Sequence, residues 1–256
     1  MPDFLESARR AIEAAETITR RWWGHRLKIN MKPDQSPVTS ADIEAEQAII
    51  EVLRAEYSDH AFVGEETGRT GPEDADYTWI IDPIDGTKNF IDGIPLWGTL
   101  LALQYHDSIE LGITHLPIMN EMAWAERGHG AFFNGRRIQV SDTEELDQAM
   151  ISIGSLGSFA NRGMERPIID LLYSCRRHRS FGDIWPRLLV ARGKVDAVIE
   201  AEIKYVDVAA VAIIIEEAGG KVSDIDGSPI GHNLQGFLSS NRHLHPALTE
   251  ALKSGA

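Results

Sequence analysis

The segment Trp79-Ile80-Ile81-Asp82-Pro83-Ile84-Asp85-Gly86-Thr87 sets two carboxylates three residues apart across a proline turn. A β-branched and aromatic run, Tyr77 to Ile81, reads as a strand that delivers Asp82 at its end. Pro83 then turns the chain, so Asp85 can converge with Asp82. Two ionised carboxylates held that close repel, and one is pushed towards protonation. A hard divalent cation resolves the conflict, because Mg²⁺ prefers oxygen ligands at about 2.0–2.1 Å. Gly86-Thr87 allows close backbone approach and offers N–H groups to an anion if a helix starts there. The competing reading is a capped turn, since Asp-Pro and Asp-Gly pairs mark turns generally.

Other acidic residues bear on the choice. Gly64-Glu65-Glu66-Thr67 follows the short apolar run Ala61-Phe62-Val63; alone, Glu65 is a solvated loop charge. Asp207 opens the apolar run Val208 to Ile215 and reads either as a helix N-cap or as a ligand. His243-x-His245 before Pro246 reads as a solvated pair rather than a metal site. Arg176-Arg177-His178-Arg179 reads as a solvated turn or a dimer-contact surface rather than a nucleic-acid patch.

Composition narrows the class. The 256 residues carry 25 Lys+Arg and 39 Asp+Glu, so the net charge is 25 − 39 = −14. A general nucleic-acid binder needs a basic footprint, which this chain lacks. Hydrophobic content of 43% excludes global disorder. Cys175 is the sole cysteine, which rules out an intrachain disulfide or a multi-Cys zinc site. The longest apolar run is too short for a membrane span, and the N-terminus has no apolar core of signal-peptide type. These features predict a cytoplasmic protein with no membrane or nucleic-acid partner.

The elements that must position the carboxylates follow from periodicity. Leu5, Ala8, Ile12, Ala15, Ile18 and Trp22 recur at helical spacing, predicting a helix over 3–23. After the polar loop Lys32 to Pro37, Thr39 or Ser40 caps a second helix running to about Glu56. Strands and hairpins follow, with turns at Asp107-Ser108 and Asn134-Gly135. Beyond about residue 145, strands at 149–153, 195–199 and 221–223 alternate with helices near 162–173, 184–192 and 207–218, which reads as α/β. The expected architecture is an α+β half, 1–145, that binds metal, packed on an α/β half, 146–256, that completes the site.

Asp34-x-Ser36-Pro37-Val38-Thr39-x-x-Asp42, Gly64-Glu65-Glu66, Asp82-Pro83-Ile84-Asp85-Gly86-Thr87 and Asp207-Val208-Ala209-Ala210, in this order, resemble the inositol monophosphatase family. Gly219-Gly220 fits as well, and the resemblance spans about residues 5–250. It implies a layered α-β-α-β-α sandwich and Mg²⁺-dependent hydrolysis of a small phosphate monoester, with two or three ions per site. It assigns Glu65, Asp82, Asp85, Asp207 and the Ile84 carbonyl as metal ligands, and Asp42 as a residue behind them or near a further metal. Thr87, with Glu65, orients the attacking water, and Gly86 and Thr87 receive the phosphate. Many relatives carry Trp where Val206 stands. A homodimer is implied because relatives are commonly dimeric.

Within the family, Asp85 to Ile91 followed by Gly93-x-Pro95-Leu96-Trp97-Gly98-Thr99-Leu100 is more similar to the histidinol-phosphatase branch. So is Arg179-Ser180-Phe181-Gly182-Asp183-Ile184-Trp185. By alignment to Asp207, Glu200 falls where the family contacts the substrate's organic part. Carboxylates at Asp183 and Glu200 suit the ammonium and imidazole of L-histidinol phosphate. The competing readings are a helix N-cap for Asp183 and an exposed strand-end charge for Glu200. An inositol-1-phosphate or broad small-monoester phosphatase is the alternative activity, and a catalytically silent metal-binding scaffold the non-enzyme alternative.

Overall fold

Ala8, Ala11, Ile12 and Ala15 bury one face of α1 (Phe4–Trp22) against α2 (Ser40–Glu56). A computed structural model describes residues 3–25, 28–32 and 37–253. Asp34 and Ser36 of the family-like motif lie outside the described residues. Between the two helices, β1 (Ile29–Met31) pairs antiparallel with β2 (Pro37–Thr39). Helix α2 starts on a reciprocal cap: the Thr39 hydroxyl accepts from Ala41 N–H, and Asp42 Oδ2 accepts from Thr39 N–H at 2.8 Å. Local capping thus fixes Asp42 at the buried first turn of α2.

Eight strands form the larger sheet: β3 (Ala61–Gly64), β4 (Gly68–Thr70), β5 (Tyr77–Asp85), β6 (Gly98–Tyr105), β7 (Ser108–Leu116), β8 (Glu121–Glu126), β9 (Gly130–Phe133) and β10 (Arg136–Ile138). Their order is β10-β9-β8-β7-β6-β5-β3-β4, antiparallel except where β3 lies parallel to β5. That parallel pair brings Gly64 opposite Ile81, so Glu65 emerges beside Asp82. The β5–β6 register shifts between Asp82 and Asp85, a bulge that turns the second carboxylate into the site. The short α3 (Thr87–Asp92) follows directly.

The smaller sheet holds β11 (Met150–Ile153), β12 (Arg177–Arg179), β13 (Ala197–Ala201), β14 (Gly220–Ser223) and β15 (Gly236–Asn241), in the order β12-β11-β13-β15-β14. Its helices are α4 (Leu156–Ala160), α5 (Glu165–Ser174), α6 (Ile184–Ala191), α7 (Ala209–Glu217) and α8 (His245–Lys253). Helices α1 and α2 cover one face of the large sheet, and α6 and α7 fill the space between the sheets. Helices α4, α5 and α8 close the outer face of the small sheet. This is the expected α-β-α-β-α layering. Every residue of α7 from Ala209 to Ile215 is buried, as an apolar helix between two sheets requires.

Three local readings change. Asp207 does not cap a helix: it ends a one-turn 3₁₀ helix, Tyr205–Asp207, and its carboxylate accepts from Lys204 N–H at 2.9 Å. His245 is buried rather than solvated, with its ring nitrogens 2.8 Å from the Ser240 hydroxyl and 3.0 Å from that of Ser223. Burial pushes its pKa down to about 4, so it is a neutral structural bridge beneath α8. Arg177 to Arg179 form the edge strand β12 instead of a turn. At Asn134-Gly135 the expected hairpin is present, with both residues at positive φ (45° and 75°).

Candidate active site

The ends of β3 and β5 and the Tyr205–Asp207 turn meet at one point. Carboxylate oxygens of Glu65, Asp82 and Asp207 lie within 4.8 Å of one another. Asp82 is 1% exposed and accepts from Ile84 N–H at 3.1 Å. Burial pushes its pKa well up, and the charges of Glu65, Asp85 and Asp207 add to that. Asp207 is pushed up to about 6, by burial first and Glu65 second. Such a trio is unfavourable as bare anions and well suited to a hard cation.

Asp85 stands apart from that trio. One of its oxygens accepts from Ile184 N–H at the start of α6, and the other lies 3.4 Å from Arg187 Nη1. Burial raises its pKa, against the pull of Arg187. Asp85 therefore does the capping that the competing reading gave to Asp183. Asp183 occupies the N-cap position of α6 at φ 58° without a side-chain cap bond. Its Oδ2 accepts from the Asn89 amide at 2.8 Å, and its Cβ stands near Gly86. Burial pushes Asp183 up to about 6.

Glu200 is buried, not an exposed strand-end charge. Both of its oxygens are engaged by Arg187, at 2.6 Å and 3.2 Å. It does not present a free charge to a ligand. Thr87 sits at the first turn of α3, after Gly86 at φ 85°. Its hydroxyl lies 3.3 Å from Asp42 Oδ1 and 3.1 Å from the Ile84 carbonyl. Asp42 is fully buried, and burial raises its pKa.

Three contributors are absent from the sequence reading. Lys32 Nζ lies 3.0 Å from Glu65 and 2.7 Å from Glu66. Burial opposes its charge, but the two carboxylates outweigh that and hold its pKa raised. Arg187, on α6, is 2% exposed. Glu46 follows Asp42 by one helical turn, on the face carrying Ala45 and Ile49, and that burial pattern was its only signal. Its carboxylate accepts from Glu66 N–H at 2.8 Å and from Thr67 N–H at 2.9 Å, clamping the loop that presents Glu65.

The clamp gives a test. A Cβ at Gly64 would stand 2.2 Å from Glu46 Oε1. Gly64→Ala must expel Glu46 and free the part-buried N–H groups of Glu66 and Thr67. We expect a loss of about 1–3 kcal/mol, on the scale of overpacking, together with a weaker Mg²⁺-induced rise in melting temperature. A variant with unchanged melting and metal response would show that the Glu46 clamp does not position Glu65.

With this geometry in place, comparison with known proteins is decisive about kinship. Residues 3–255 match the inositol monophosphatase family. The chain belongs to that family. It is 37% identical to the histidinol-phosphatase of Streptomyces coelicolor over 97% of each chain. It is 36% identical to the inositol-1-monophosphatase of Caulobacter vibrioides, over 95% of this chain and 99% of that one. Among solved structures, the extragenic suppressor protein suhB from Bartonella henselae superposes with a TM-score of 0.92 at 29% identity, covering 100% of both chains. The fold is that of the family, and the relatives carry more than one substrate name. Among the described residues, no helix is long and apolar enough to cross a membrane.

Proposed function

We propose that this chain is a Mg²⁺-dependent phosphatase that hydrolyses a small phosphate monoester, with L-histidinol phosphate as the preferred substrate. The observation that carries the phosphatase reading is the convergence of Glu65, Asp82 and Asp207 beside Thr87 and the start of α3. Two or three Mg²⁺ ions, held by Glu65, Asp82, Asp85, Asp207 and the Ile84 carbonyl, would supply Lewis acidity to the phosphoryl oxygens and the leaving alkoxide and acidify the attacking water. Gly86 offers a main chain free of a side chain where the phosphate would lie. Thr87, within reach of Asp42 and the Ile84 carbonyl, keeps a lone pair for a hydrogen bond from the attacking water; as it takes the water's proton, its own would pass to Asp42, and Glu65 would orient that water from the other side. Lys32 and Lys204, 3.0 and 3.2 Å from Glu65 Oε1, hold this carboxylate at the rim. A homodimer in the cytoplasm belongs to the same reading and rests on the family resemblance.

Asp183 supports the substrate choice. It is a half-buried carboxylate next to Gly86 and outside the converging trio, positioned to meet a cation on the organic part of the substrate. One observation favours the second reading, an inositol-1-phosphate or broad monoesterase. Because Arg187 neutralises Glu200, Asp183 is left as the one of the two expected substrate carboxylates that could meet a cation.

A phosphate-release panel of histidinol phosphate, inositol 1-phosphate, 3′-phosphoadenosine 5′-phosphate and fructose 1,6-bisphosphate separates these readings. We expect the highest kcat/KM on histidinol phosphate. Asp183→Asn should then lose a charge-assisted contact worth about 1.5–3 kcal/mol, roughly ten- to a hundred-fold in kcat/KM on histidinol phosphate. Glycerol 2-phosphate should be largely spared. An equal fall on both substrates would make Asp183 structural, and a preference for inositol 1-phosphate would overturn the substrate choice while leaving the phosphatase intact.

A further inference from the structure

A separate open cavity of about 1370 Å³ lies at the other end of β5, between the start of α1 and the end of α2. Tyr77 at its wall is five strand residues from Asp82, ~17 Å at about 3.3 Å per residue, so the two sites do not share side chains. Its floor is aromatic and braced. The His60 ring stacks on Tyr57 at 4.7 Å and on Tyr77 at 4.8 Å, and Phe4 lies 5.3 Å from both tyrosines. The Ser7 hydroxyl donates to Glu56 at 2.6 Å and lies 2.8 Å from the Tyr57 hydroxyl.

His60 is 5% exposed and has one group left unused. The Trp79 indole N–H, which can only donate, reaches His60 Nδ1 at 3.1 Å. Burial lowers the pKa of His60 against the pull of Asp59, so the ring is neutral and its proton sits on Nε2. Among the described residues, nothing accepts a hydrogen bond from Nε2. With its faces stacked and Nδ1 bonded, the Nε2 edge is what His60 presents to the cavity. A buried donor without an acceptor is costly, so a ligand bearing a carbonyl gains by meeting it.

The rim is acidic. Seven carboxylates line the cavity against one arginine, Arg10, which Glu56 already holds at 2.6 Å. Among the described residues, Asp59, Asp74 and Glu126 make no ion pair. A cleft of one charge sign concentrates the opposite sign, and aromatic faces attract cations further. The volume exceeds the roughly 300–1,000 Å³ of ordinary small-ligand sites, which favours an extended ligand.

We propose that this cavity is a docking site for a basic peptide segment of a partner protein: its lysine or arginine side chains meet the rim carboxylates, and a main-chain carbonyl accepts from His60 Nε2. The proposal is independent of the phosphatase reading.

The test is calorimetric titration of the full-length protein, at low ionic strength, with a capped seven-residue peptide that alternates glycine with lysine or arginine. Wild type should bind one peptide saturably. D59N/D74N/E126Q removes the unpaired rim charges and should bind at least about fivefold more weakly, on the scale of three exposed ion pairs. D142N/E144Q/E145Q removes the same charge outside the cavity and should bind like wild type. Equal weakening in both variants, or no saturable binding in wild type, would overturn the proposal. Long-range ¹H–¹⁵N spectra should show His60 protonated on Nε2 alone. That resonance should move at saturation, while His245, whose nitrogens already face serines, stays in place. A His60 signal that does not move would overturn the proposal as well. Spermidine brings comparable charge without a carbonyl, and an affinity equal to the peptide's would overturn the peptide assignment.

Discussion

Replacing Asp82 by asparagine should make the metal-stripped protein more stable at pH 8 and remove nearly all of its activity. Asp82 is buried at 1% exposure, and its pKa is pushed well up by burial and then by Glu65, Asp85 and Asp207. A carboxyl whose pKa is raised in the folded state contributes stability below its unfolded value, near 4. That contribution is lost as pH rises through the folded value. Asp207, pushed up to about 6, loses its share between about pH 4 and pH 6, and Asp82 continues the trend upward. The melting temperature of metal-stripped wild type should therefore fall between pH 5 and pH 8, and Mg²⁺ should restore it at pH 8. Asparagine keeps an oxygen for Ile84 N–H but carries no charge. Asp82→Asn should thus melt higher than metal-stripped wild type at pH 8, where about 2–4 °C corresponds to 1 kcal/mol for a chain of this size. It should show no Mg²⁺ response and lose roughly 10³-fold in kcat, the scale of losing a preorganised electrostatic contact. Scanning calorimetry at two pH values with and without Mg²⁺ checks this. A variant that still gains stability from Mg²⁺ would falsify the assignment of Asp82 as a ligand.

That trade of stability for charge explains what could be seen in the sequence. Apolar strands ending abruptly in acids, such as Tyr77 to Asp82, break the local rule that a buried strand end be apolar or capped. A break of that kind points to a site. Asp82 was legible in this way; Glu65, alone a solvated loop charge, and Asp207, alone a helix cap or a ligand, were assigned by the family resemblance. The helical periodicity of α1, the Thr39 cap of α2 and the Asn134-Gly135 hairpin were legible because their causes are local.

What escaped depends on partners distant in sequence. Arg187 meets Glu200, Asp85 and Asp207 only because α6 is wedged between two sheets. No spacing within α6 encodes that, so Glu200 was expected to face substrate with a free charge. His245 likewise looked like half of a solvated pair, since the serines that satisfy it lie on β14 and β15. The competing reading of Asp183 as the cap of α6 failed for the same reason. The peptide N–H of Ile184 is reached from across the fold by Asp85, leaving Asp183 at positive φ and directed to Asn89.

Removing the Thr87 hydroxyl should separate chemistry from binding. Thr87 Oγ1 lies 3.3 Å from Asp42 Oδ1 and 3.1 Å from the Ile84 carbonyl, so one hydrogen has two acceptors and the oxygen retains a lone pair for water. Asp42 is held in turn by Thr39 at the cap of α2, which fixes the position of one of those two acceptors. Thr87→Ala leaves Glu65, Asp82 and Asp207 untouched. If Thr87 were only a structural link, its loss would cost about 0.5–1.5 kcal/mol of stability, and even if all of that reached the barrier, roughly tenfold in rate. A group that accepts a proton from the nucleophile is worth roughly 10²–10⁴-fold. We expect kcat to fall by more than a hundredfold, with KM and Mg²⁺ affinity changed by less than about threefold, the pattern of an interaction made in the transition state. Thr87→Ser restores the hydroxyl without the methyl and should recover most of the rate. Single-turnover phosphate release with calorimetric Mg²⁺ titration on both variants makes the comparison. A tenfold or smaller loss in Thr87→Ala would leave the metal site standing and place the orientation of water with Glu65 alone.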